Sequence, residues 1–234
     1  MGQYISFYKN RSGKPLKELI FERYAEFRVW YLQRNQDSIA EFYETYGSEE
    51  LLAYFEQNSD FENDFETLDD RLINELLVEF VWEYGGYQAP GEYFFQPFGS
   101  NVGTWRYVES TEMVFESDNS ELIQLWTYLV LGRTLKDSTD FNSFDGEDKI
   151  KVGFLTVEEQ NRLRELISHH FGDVHAATDN YWSTTAVEEY KKAGEGPFQG
   201  RLTTYNPPTA GLSYVLSALE DIKDDQAELV TTIE

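Results

Sequence analysis

The chain has 234 residues, 41% of them hydrophobic and 16% aromatic, and sets 43 acidic side chains against 19 basic ones for a formal charge of −24. That composition supports a packed core and argues against disorder. The charge repels nucleic-acid phosphates and anionic membranes, which argues against direct binding to either, and attracts basic proteins or cations. There is no cysteine, which excludes disulfides, thiolate metal sites and cysteine nucleophiles and fits a reducing cytoplasm. No apolar run approaches the roughly 20 residues of a membrane helix, and the N-terminus lacks the apolar region of a signal peptide.

Residues 3–8 set Tyr4, Ser6 and Tyr8 on one side and Ile5 and Phe7 on the other, the period of a strand. Met1-Gly2-Gln3-Tyr4-Ile5-Ser6 also fits the N-myristoylation pattern, but the pattern is short and matches by chance, so the strand is the expected reading. A basic turn over 9–17, with Gly13 and Pro15, leads into a helix over 16–33. Its Leu19, Ile20, Tyr24, Phe27, Trp30 and Tyr31 share a face. Arg23, Arg28 and Arg34 are its expected counter-charges for the next segment.

From Asp37 to Tyr84, fifteen acids accompany a single base, Arg71. Helices are expected over 38–46, from Ser48-Glu49-Glu50 onward, and over 68–84. Thr67 is the expected N-cap of the last, with Asp69 and Asp70 in its first turn. Leu72, Ile73, Leu76, Leu77, Phe80, Val81 and Tyr84 give it a wide apolar face, and Gly85-Gly86 should stop it. Glu75, Glu79 and Glu83 recur every fourth residue and are expected on the outer side. Like charges at that spacing oppose each other by a few tenths of a kcal/mol per pair.

Residues 85–103 change to Gly, Pro and aromatics, the texture of a small sheet or a lid. Strands are expected over 92–98, 104–109 and 112–116, with Tyr107, Met113 and Phe115 turned inward. Asn119 and Ser120 cap a helix over 121–131, whose Leu122, Leu125, Trp126, Leu129 and Val130 make it the expected central core helix. A polar loop follows over 136–153. Thr156-Val157-Glu158-Glu159 is a capping box opening a helix that Gly172 closes. A short helix over 184–192, a Gly/Pro segment over 194–211, a helix over 212–223 and a strand over 228–233 complete the chain. No repeat occurs at a fixed period. The pattern is α+β: a mainly helical single domain with a small antiparallel sheet and a possible subdivision near 85–118. The terminal strands pair either with each other or with a central hairpin.

All the histidines fall in His169-His170-Phe171-Gly172-Asp173-Val174-His175. His169, His170, Asp173 and His175 are the candidate ligands for a divalent ion. Adjacent histidines diverge by about 100° on a helix and Gly172 separates them from His175, so dipole-stabilising polar residues at a helix end are the better reading and no metal or cofactor is expected. A glycosidase needs paired carboxylates beside aromatic platforms. Glu83, Glu92, Trp82, Tyr93 and Trp105 supply the residue types, as any acidic aromatic-rich chain would. The 194–200 glycines lack the Lys-Ser/Thr of a phosphate loop, no GxSxG elbow occurs, and Ser168 beside His169 has no triad context.

The charge remains. Asp60, Glu62, Asp64, Glu66, Asp69, Asp70, Glu75, Glu79 and Glu83 would, on one rod, approach the linear charge spacing of a nucleic-acid strand. The expectation is a cytoplasmic, non-catalytic protein that uses these residues to bind and inhibit a basic partner protein. Such a protein would be a toxin-neutralising immunity protein or a counter-defence mimic of nucleic acid. The alternative is a hydrolytic, metal-assisted enzyme with its site near the 85–103 loops or the histidine cluster. A solvated face with no partner is the simplest competing account, and the sequence leaves the oligomeric state open.

Overall fold

The computed structural model describes residues 4–36, 49–58, 60–87, 94–136, 150–185 and 207–233. A four-stranded antiparallel sheet lies at its centre in the order β2-β1-β4-β3. The strands are β1 (Tyr4–Asn10), β2 (Phe95–Gly103), β3 (Lys151–Leu155) and β4 (Glu228–Ile233). The terminal strands form the middle pair, Tyr8 opposite Val230, and β1 takes β2 on its other side. The terminal strands thus pair with each other, and the expected central hairpin is replaced by the single strand β2. Helices α1 (Leu16–Gln36), α2 (Glu49–Gln57), α3 (Phe61–Asp64), α4 (Asp70–Trp82), α5 (Val108–Glu116), α6 (Ser120–Trp126), α7 (Val157–Phe171), α8 (Val174–Asn180) and α9 (Ala210–Asp221) surround it. The result is a mainly helical α+β fold, as expected.

Side chains alternate across a strand, so this sheet has two faces to cover. Ile5, Phe7, Leu155 and Leu229 meet α5, α6, α7 and α9, while Tyr8, Phe95, Val152, Phe154 and Val230 meet α1 to α4. The second face is aromatic. Phe27 of α1 meets Phe80 of α4 at 5.2 Å and Phe55 of α2 at 5.8 Å, both edge-on. Ring pairs of this kind add about 0.5–1.5 kcal/mol each beyond area burial. The segment 85–118 gives β2 to the common sheet and α5 to one of its faces.

Side chains also close the ends and edges of the sheet. Glu228 Oε2 accepts the Leu16 amide at 2.7 Å and Asn10 Nδ2 at 3.1 Å. It thereby ties β4 to the start of α1, where a carboxylate suits the dipole. Asn74 of α4 covers the outer edge of β3: its Nδ2 donates to the Ile150 carbonyl at 2.9 Å and its Oδ1 accepts the Val152 amide at 3.3 Å. Paired edge groups resist the addition of a foreign strand. Behind β3, α6 runs on as a π-helical turn over Thr127–Leu131. The buried Thr231 hydroxyl donates to the Leu129 carbonyl at 2.7 Å. A Cβ on Gly153 would lie 2.5 Å from that same oxygen, so only glycine lets β3 pass this close.

Several local expectations are corrected. Residues 104–116, read as two strands, form a 3-10 turn (Thr104–Tyr107) and α5. The buried positions are Tyr107, Ser110 and Val114, a helical spacing, whereas Phe115 is exposed. Ser110 is buried because its Oγ donates to the Pro208 carbonyl at 2.5 Å and accepts the Leu212 amide at 3.2 Å. The loop expected over 136–153 ends in β3, the strand expected over 92–98 lies at Phe95–Gly103, and α8 has no counterpart in the sequence reading. Asp69, not Thr67, caps α4, its carboxylate accepting the Arg71 amide at 2.7 Å. Gly85-Gly86 do not stop that helix, which continues as a π turn over Glu83–Tyr87. The capping box stands as expected, with Thr156 and Glu159 each accepting the other's amide. The helix expected over 38–46, most of that over 184–192 and the glycine-rich 194–200 lie outside the described residues.

Candidate functional site

The acidic segment is not one rod. It is divided among α2, the single turn α3 and α4, which breaks any continuous ladder of carboxylates at phosphate spacing. Some acids do local work: Asp60 caps α3 by accepting the Asn63 amide at 3.2 Å, Asp64 accepts the Tyr54 hydroxyl at 3.3 Å, and Asp70 lies 3.6 Å from Lys136 Nζ. Glu50 pairs with Arg71. Glu56, Asp60, Glu62, Glu66 and Asp69 are exposed, and Glu56, Glu62 and Glu66 make no ion pair among the described residues. Of the arginines expected to neutralise the segment, Arg34 reaches it. Arg28 Nε instead donates to the Phe55 carbonyl at 2.6 Å, and Arg23 pairs with Glu26 of its own helix at 3.0 Å.

The expected outward stripe faces inward. Glu79 and Glu83 are each 5% exposed, because α4 is buried on nearly all sides from Ile73 to Val81 and has no outer side there. Arg34, in the last turns of α1, forms a charge-assisted bond to Glu83 and stands 3.6 Å from Glu79 Oε2. The Trp30 ring lies 5.3 Å from its guanidinium. Glu75 is half-buried, 3.6 Å from Arg71. Burial pushes the Glu79 carboxyl up to about 7 against the pull of Arg34, and the neighbouring Glu83 and Glu75 charges add to the rise. Burial also raises Glu83, which Arg34 opposes, and it raises the Tyr31 phenol, with Glu79 as the next cause. Sequence spacing places these glutamates on one side of α4 without saying which side. The available signal was in α1, where Tyr31 and Arg34 extend an apolar face with a cation.

The histidine cluster is dispersed. His169 and His170 end α7, Asp173 is occupied as the N-cap of α8, accepting the Ala176 amide at 2.9 Å, and His175 lies within α8. Asn119 Oδ1 caps α6, which leaves its Nδ2 to donate to His170 Nε2 at 3.0 Å. Asn119, Arg162, Glu165, Leu166, His169 and His170 line an open cleft of about 520 Å³. Its cation is already used, since Arg162 holds Glu121 through two bonds of 2.9 and 2.7 Å. Among the described residues no three His, Asp or Glu side chains are placed to share a metal ion.

One arrangement was not legible in the sequence. His175 Nδ1 lies 2.8 Å from Ser213 Oγ, and its Nε2 lies 3.7 Å from Glu220 Oε2. Serine, imidazole and carboxylate stand in the order of a hydrolytic triad. The Glu220 side chain, however, is 55% exposed and beyond hydrogen-bond reach, so it does not orient the ring. The contact fastens α8 to α9. Of the glycosidase candidates, Glu83 is committed to Arg34, while Glu92 and Tyr93 lie outside the described residues.

Comparison with known protein families, curated proteins and solved structures finds no match to this chain. No described helix is long and apolar enough to cross a membrane. The functional reading therefore rests on the chemistry of the molecule itself.

Proposed function

We propose that this chain is a non-catalytic acidic protein that binds a basic partner protein and blocks it. It would act as an immunity protein does on a toxin, or as a counter-defence protein does when it occupies a nucleic-acid-binding cleft. One observation carries the reading. The exposed Glu56, Asp60, Glu62, Glu66 and Asp69 face solvent, while the nearby cations Arg28, Arg34, Arg71 and Lys136 are bound to carbonyls or to other acids and Lys17 lies over the Phe65 ring. A face left this unbalanced repels itself and is relieved by a surface of opposite charge. The half-buried Asp64, Asp70 and Glu75 and the buried Glu79 and Glu83 are withdrawn from the contact set and the exposed Glu56 joins it, leaving Glu56, Asp60, Glu62, Glu66 and Asp69. The broken ladder shifts the emphasis from regular phosphate mimicry to charge complementarity.

The test is capture of a partner from host extract, followed by calorimetry with the identified protein. Reversing Glu56, Glu62 and Glu66 to Lys should weaken binding about tenfold or more at low salt, with a smaller difference at high salt. Circular dichroism should find the variant folded, because none of the three is buried. Equal affinity of variant and wild type would reduce this face to solvated surface and remove the reading.

A further inference from the structure

The seam between α1 and α4 does not balance its charge. Among the described residues, Glu79 and Glu83, both 5% exposed, answer to the one guanidinium of Arg34. Glu75 is matched by Arg71, which also holds Glu50 of α2. Among the described residues, the titratable groups that face Glu79 are Arg34 and Tyr31 from α1, and Glu75 and Glu83 along its own helix and the following turn. The β3 residues in the core cluster shared with α1 and α4 are the apolar Val152 and Phe154. With both acids ionised, the set of Glu79, Glu83 and Arg34 would keep one uncompensated negative charge out of water, a costly state that a single proton removes.

We propose that the α1–α4 seam is a proton-linked latch: Glu79 and Glu83 share one proton around Arg34 while the seam is closed, and loss of that proton above neutral pH releases the last turn of α1 from α4. The proton belongs to the pair rather than to either residue. Burial raises both carboxyls, Glu79 to about 7, which sets the release near neutrality. The movement is confined because Phe27, a turn earlier, is held by Phe80 at 5.2 Å and Tyr84 at 6.1 Å, contacts that no proton affects. The direction follows from the unfolded reference. An unfolded glutamate gives up its proton near 4.5, so stability linked to the retained proton is complete below that value and is lost as pH rises through about 7. This device is independent of the partner-binding face, whose acids are exposed.

Urea unfolding of the full chain from about pH 5 to 9, wild type beside Glu79→Gln, tests the proton. Glutamine keeps the shape and leaves Arg34 matched by Glu83 alone. Through this site the wild-type folding constant should fall about a hundredfold across the range, and the variant should lack that part of the fall. Parallel curves overturn the shared proton. Amide exchange reads the latch. Above neutrality, protection over 31–36 should drop about tenfold or more relative to the preceding turns of α1 in wild type, and not in Glu79→Gln. A uniform response along α1 overturns the release. Infrared spectra of the wild type supply a check that needs no variant: a protonated carboxyl band should be present near pH 6 and lost near pH 9, and its absence at the lower pH overturns the proposal.

Discussion

Replacing Arg34 with methionine removes the cation that meets both buried acids while keeping an unbranched chain against Trp30. Removing one partner of a buried pair costs about 3–5 kcal/mol, because the remaining charge stays out of water. Here two acids are left, each 5% exposed, so that range applies near neutrality, while the seam is closed. For a domain of this size the loss lowers the melting temperature by roughly 6–20 °C. The penalty should depend on pH. Arg34 opposes the rise of both carboxyls, so without it both rise further. The variant then keeps its stability where they are protonated and loses it as pH climbs through their raised values. Thermal and urea unfolding at about pH 5 and 7, where the wild-type seam still holds its proton, would measure this, with a large deficit expected at the higher pH and a small one at the lower. Adding Glu79→Gln and Glu83→Gln to Arg34→Met should restore most of the loss. A deficit below about 1 kcal/mol at about pH 7, or an equal deficit at both, would mean that the acids reach water, and the inward reading of the stripe would fail.

Gly153→Ala should destabilise the protein by about 3 kcal/mol or more in urea, since the new methyl group would lie 2.5–2.6 Å from two backbone carbonyls and the Thr231 hydroxyl. A near-neutral result would mean that β3 can move away from the π turn. Calorimetric titration with zinc should give no stoichiometric site, because His170, His175 and Asp173 are turned to different partners. A one-to-one isotherm lost in His170→Ala would contradict that placement.

Signals confined to a few neighbouring residues were legible in the sequence. The Thr156–Glu159 box, the Asn119 cap and the alternating strands at both ends each depend on contacts within a turn or on one clean period. Features that depend on distant neighbours were not. Ser110 fills a buried helical position only because Pro208 and Leu212, a hundred residues on, satisfy its hydroxyl, so α5 read as strands. The short β3 was hidden behind a polar run, and its outer edge is completed by Asn74 rather than by another strand. The charged stripe of α4 was the largest error about the site. An apolar face and a line of acids suggest an inside and an outside, but a helix packed between a sheet and two other helices has an inside on both. The acids on that second side needed Arg34 from α1, and spacing within α4 cannot report it.

The middle pair of the sheet joins residues 218 apart, Asn10 beside Glu228. During synthesis β1 emerges early, while β4 is made after every other described element. The helices can form as they appear, but the sheet cannot close across its centre until the 228–233 stretch is free of the ribosome. Closing so distant a contact is slow, since the ordering of the intervening chain precedes the gain. Until then β1 holds one row of backbone donors and acceptors without its native neighbour. Such an edge can pair with another nascent copy. Crowded or fast expression should therefore direct this chain toward aggregates seeded at β1, and slower synthesis at lower temperature should recover the native fold.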